Sequence, residues 1–121
     1  MIYFIMPVGS DPTYGTKRKL LDRILHEKKT LGHFPLEREA WDQFGVSEVL
    51  KDMGAADCII ADLSLERPSC YYEVGLAHGA GLEVQLIAPS GTPVHQVYHR
   101  EDVRYYSDMT SYAHLVRSIL P

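Results

Sequence analysis

Three short apolar runs constrain this chain most: Ile2-Tyr3-Phe4-Ile5-Met6 and Cys58-Ile59-Ile60-Ala61, both unbroken, and Val84 to Ala88, interrupted only by Gln85. A strand with one wet face alternates apolar and polar residues, so a continuous run implies a strand covered on both faces. Helical patterns separate the runs. Leu20, Leu21, Ile24 and Leu25 mark a helix from about Tyr14 to Lys29, ended by Gly32. Val46, Val49, Leu50 and Met53 mark a second, closing near Gly54. Pro68 and Ser69 open a third, through Val74, Leu76, Ala77 and Ala80 to Gly81. Tyr112, Leu115, Val116 and Ile119 give the last. Weaker strands are expected at His33–Glu37 and Val103–Tyr106, with a loop through Trp41 and a loop or helical turn over 92–101. Strands alternating with helices imply parallel pairing and right-handed crossovers. The expected fold is a flavodoxin-like three-layer sandwich: about five mainly parallel strands, order 2-1-3-4-5, helices on both faces. The 121 residues suit one domain, 1–121, that buries roughly two-thirds of its unfolded surface.

Composition removes several classes. A net charge of −4 argues against a broadly basic nucleic-acid face. No apolar run approaches the ~20 residues of a membrane span. No basic segment precedes Ile2–Val8, which reads as a first strand rather than a signal peptide. Cys58 and Cys70 read as reduced thiols, pointing to a cytoplasmic protein. Neither has an adjacent His, so a thiol nucleophile has little support. His95 and His99 stand four apart without a third ligand, so no metal is expected. Lys17-Arg18-Lys19 reads as a solvated helix face. Tyr98, Tyr105, Tyr106 and Tyr112 suit either a pocket cover or ordinary packing. There is no G-x-G-x-x-G or P-loop pattern, and no cofactor is implied.

In doubly wound sheets ligands sit beyond the carboxyl ends of the strands, where the strand order reverses. That places a crevice between the loops Pro7–Tyr14 and Asp62–Ser69. Glu73 follows in the first turn or so of the next helix, where the helix dipole favours an ionised carboxylate. Such a group can attack an anomeric carbon or stabilise an oxocarbenium ion. It can equally serve only the helix terminus, although Ser69 to Glu73 is one residue too long for a capping box. Gly75 and Gly79 would let this helix lie close to a neighbour, and Tyr71 and Tyr72 give the acid a partly apolar setting. Asp62 suits a sugar hydroxyl or its own loop amides, and Ser64 is a possible donor. Met6-Pro7-Val8-Gly9-Ser10-Asp11 follows the first strand; Gly9 permits close backbone approach and Ser10 can hold a phosphate or base, or the loop is a plain turn.

Ile5-Met6-Pro7, Ala56-Asp57-Cys58-Ile59-Ile60-Ala61-Asp62-Leu63-Ser64 and Tyr72-Glu73-Val74-Gly75-Leu76-Ala77-His78 resemble the nucleoside 2-deoxyribosyltransferase-like superfamily, in its bacterial branch bordering on TIR-like domains. The resemblance covers most of the chain and is strongest over residues 56–88. It implies a flavodoxin-like sheet, a pocket for a nucleoside or nucleotide, and cleavage of an N-glycosidic bond by hydrolysis or transfer to an acceptor base. It makes Glu73 the nucleophile, with Asp62 and Ser64 orienting the sugar. Met6, Pro7, Gly9 and Ser10 lie at the base or phosphate, and Tyr72 beside them. It also implies a homo-oligomer. The family usually places further acids before the catalytic Glu; here Glu48 and Glu66 lie nearby, but Arg67 and Pro68 occupy much of that loop. That leaves two further readings: a non-catalytic nucleotide-sensing or TIR-like interaction module, and a NAD-cleaving TIR-like enzyme.

Overall fold

A computed structural model describes residues 1–38 and 44–121. The loop expected through Trp41 lies outside them. Among the described residues the strands are β1 (Ile2–Ile5), β2 (Gly32–His33), β3 (Cys58–Asp62), β4 (Gln85–Pro89) and β5 (Arg104–Tyr106). The helices are α1 (Tyr14–Glu27), α2 (Val46–Ala55), α3 (Pro68–Gly79) and α4 (Met109–Ile119). The sheet is all parallel in the order β2-β1-β3-β4-β5, as the apolar runs predict. No helix among the described residues is long and apolar enough to cross a membrane, and both cysteines are free.

The sheet divides the core in two. Tyr3, Ile5, Ile59, Ala61 and Leu86 pack with α2 and α3 on one face. Ile2, Phe4, Ile60 and Ile87 pack with α1 and α4 on the other. Each central strand feeds both faces, which is why its sequence shows no polar alternation.

Several boundaries differ from expectation for local reasons. α1 ends at Glu27, short of the expected Lys29 and ahead of Gly32, and Lys29 just beyond it takes φ 54°. Lys29 N donates to His26 O and Thr30 N to Leu25 O, closing the helix in a Schellman motif without glycine. α3 ends in the same motif with Gly81 at φ 75°. Gly32 instead serves packing: a Cβ there would stand 2.7 Å from Leu25 Cδ1. Only Gly32–His33 pair as a strand; Pro35 starts a 3-10 turn over Pro35–Glu37 in place of the expected longer strand.

Candidate functional site

Strand alternation sorts the polar residues at the carboxyl end of the sheet. Ile60 packs on the α1/α4 side and Ala61 on the α2/α3 side, so Asp62 returns to the α1/α4 side. There it meets Lys17, which is 2% exposed. The basic run in α1 is thus not a uniformly solvated face: Lys17 falls on the buried stripe of Leu21 and Ile24. Its ammonium donates to Asp11 Oδ2 at 2.9 Å, Asp62 Oδ2 at 2.9 Å and Ser64 Oγ at 3.0 Å. Ser64 Oγ donates to Asp62 Oδ1 at 2.6 Å. The Tyr106 hydroxyl lies 3.0 Å from both Asp62 oxygens. Asp11 Oδ1 accepts from Thr13 N and Thr13 Oγ1. Burial alone would lower the Lys17 pKa, but the Asp62 charge and the surrounding hydrogen bonds hold it above its ordinary value. Burial would likewise raise Asp11, yet Thr13 and Lys17 keep it below the usual carboxylate range. Burial, with the Asp62 charge, pushes Tyr106 up to about 12. All three ammonium protons are spoken for, so the charged cluster ties the loop after β1 to the loop after β3.

Glu73 occupies the opposite face. α3 begins at Pro68, which puts Glu73 in its second turn, not its first. The side chain is 1% exposed. Oε1 accepts from the Tyr3 hydroxyl at 2.7 Å. Oε2 is buried and has no hydrogen-bond partner among the described residues. The downward pKa shift expected from the helix dipole is not seen. Desolvation raises the carboxyl pKa, and the Tyr3 bond with the Arg38 and His33 charges offsets this only in part. The dipole fades beyond the first turn, so burial wins. Burial, reinforced by Glu73, also raises the Tyr3 hydroxyl. A cavity of about 370 Å³ adjoins this face, with His33, Arg38, Phe44, Glu48 and Asp52 in its walls. Glu73 itself is not part of that wall. It is linked to it through His33, whose ring meets Tyr3 edge-on at 5.3 Å, and through the Arg38 charge. His33 Nε2 stands 3.5 Å from Asp52 Oδ2.

The predicted site residues are therefore not brought together. Asp62 and Ser64 share one hub, and Glu73 lies across the sheet from them. Met6 is in the α1/α4 core and Pro7 is buried, so neither offers a binding surface. Gly9 and Ser10 form an exposed turn. Tyr72 is exposed on the outside of α3, edge-on to Phe44 at 5.6 Å. A Cβ at Gly75 or Gly79 would meet nothing within 4 Å among the described residues, where the close neighbour expected at these glycines is not found. His95 and His99 are engaged separately, by Glu66 and Glu101. Tyr3, Lys17 and Asp11 escape a motif search. A phenol inside a fully apolar run and a lysine four residues before Leu21 were the available signals.

Fold and site together define a doubly wound α/β domain with a buried, tyrosine-held carboxylic acid inside it. No protein-family model matches the chain, and no curated protein matches it either.

Proposed function

We propose that this chain cleaves the N-glycosidic bond of a nucleoside or nucleoside monophosphate, by hydrolysis or transfer to an acceptor base, with Glu73 as nucleophile. The supporting observation is the Glu73 carboxyl, fixed at Oε1 by Tyr3 and without a hydrogen-bond partner for Oε2 among the described residues. Buried polar atoms are nearly always paired. An unpaired carboxyl oxygen, next to residues that wall a cavity, suits a group whose partner is a cationic sugar carbon. In this reading the ionised Oε2 forms a bond to C1′ as the C1′–N bond breaks. The base leaves with that electron pair and takes a proton from solvent. Water or a second base then adds to C1′, its proton is released, and the carboxylate is restored. Asp62 and Ser64 act in the loop that leads into α3 and do not touch the sugar. The reading carries with it a small-molecule partner and a homo-oligomeric assembly.

The near-complete burial of Glu73 favours one rival, a nucleotide-sensing module that binds without cleaving. Chromatography of nucleosides, nucleoside monophosphates and NAD, with and without an acceptor base, separates the two. Release of free base is expected, reduced on the order of 10²-fold or more by Glu73→Gln. Equal release by that variant overturns the mechanism. Binding by calorimetry with no release supports the sensor, and nicotinamide as the released base identifies a NAD-cleaving enzyme.

A further inference from the structure

On the α1/α4 side a second cavity of about 430 Å³ opens at the carboxyl ends of β1, β3, β4 and β5. The Lys17 hub forms part of its wall. We propose that it binds an uncharged, polyhydroxylated ring of pentose or hexose size. This stands apart from the Glu73 reading, because Glu73 lies across the sheet.

Three features select that chemistry. The first is hydroxyls: Thr13, Ser64, Ser90, Thr92 and Ser107 all line the cavity. Hydroxyl side chains both donate and accept, as a ring of alcohols requires. The second is charge. Lys17 is already bound by Asp11 and Asp62, and Asp108 adds a third acid against that single cation. Helix amino ends are natural phosphate sites, but here carboxylates stand at both. Asp11 accepts from Thr13 N at the start of α1, and Asp108 accepts from Ser111 N at the start of α4. An anionic ligand would meet acids where it needs amides. The third is an apolar wall. Leu65 lines the cavity with 54% of its surface exposed, and Pro12, Pro89 and Met109 lie with it. The C–H face of a sugar ring packs on such a surface. Leu65 also takes φ 62° and Glu66 φ 46°, both left-handed without glycine. Ser64 N on Asp62 Oδ1, and Glu66 held by Tyr71 and His95, keep the turn in place. Backbone strain of this kind gathers at ligand sites, and here it holds an apolar side chain out of the core and over the cavity.

The test is NMR titration of the folded chain with D-ribose, D-glucose, inorganic phosphate and ribose 5-phosphate, read at the amides of Leu65, Thr92 and Ser107. A neutral sugar is expected to shift these amides, and phosphate is not. The double variant Thr92→Val/Ser107→Ala, both at the rim, is expected to weaken sugar binding about tenfold, as for two lost hydrogen bonds. Leu65→Gly is expected to raise the melting temperature while weakening binding, a split that a purely structural residue would not give. Sugar shifts that persist in Glu73→Gln separate this site from the other cavity. The proposal fails if neither sugar moves these amides, if phosphate or ribose 5-phosphate binds more tightly than ribose, or if Glu73→Gln abolishes the sugar shifts.

Discussion

The Lys17 hub and the Tyr3–Glu73 pair are both buried acids, one on each side of the same sheet, and they are built on opposite terms. In the hub every ammonium proton meets an oxygen and each Asp oxygen accepts. In the pair one carboxyl oxygen is held and the other has no partner among the described residues. The first arrangement spends charge on holding two loops together. The second leaves interaction capacity unused inside the protein, which is a cost to folding and an opening for chemistry.

Removing the cation from the hub should have the largest effect on stability. Lys17→Met leaves Asp11 and Asp62 buried without their ammonium, and should cost about 3–5 kcal/mol in a urea melt. A loss near zero would mean that water reaches the hub freely and would erase the contrast. Next comes Tyr3→Phe, which removes the hydrogen bond to the buried Glu73 Oε1 and should cost about 1–3 kcal/mol. It should also raise the Glu73 pKa further, moving the acid limb of any base-release profile to higher pH; an unmoved limb would show that Tyr3 does not tune Glu73.

The smallest effects are those of pH, and they run in opposite directions. Asp11 is lowered in the fold. Its stabilisation is present above the unfolded value of about 3.9 and is lost as pH falls through its lower folded value. Glu73 is raised. Its contribution is full below about 4.3 and is lost as pH climbs through its raised folded value. Glu73→Gln should therefore melt higher than the parent near pH 8 and gain little near pH 4, by calorimetry. Asp11→Asn should narrow the stability lost on acidification. If both variants moved the same limb, the two acids would share one environment.

The sheet was legible because β1, β3 and β4 are covered on both sides, and burial of that kind leaves a nearly continuous apolar signature, broken in β4 only by Gln85. β2 was legible only as a position: it has two residues, and Pro35 turns the chain before a pattern can develop. Glu73 stood out by its place after Asp62 and at the start of a helix, but its partner did not. Tyr3 reads as one more apolar residue until its hydroxyl is placed in space. Lys17 was hidden by its neighbours Arg18 and Lys19, since charge type suggested water while helical spacing pointed inward. The separation of Asp62 from Glu73 needed parity counting along β3, where Ala61 and Asp62 must face opposite ways. The crevice expected between the loops after β1 and β3 corresponds to the 430 Å³ cavity, which Asp11, Thr13, Ser64 and Leu65 help to line, whereas the 370 Å³ cavity, walled by residues between His33 and Asp52, had no sequence signature.

The brevity of the sheet's two borders has a consequence of its own. β2 contributes two residues at one margin and β5 three at the other, so the backbone offers little template for recruiting another chain's strand. Self-association of the native domain should therefore proceed through helical surfaces, and amyloid-like stacking should require partial unfolding first.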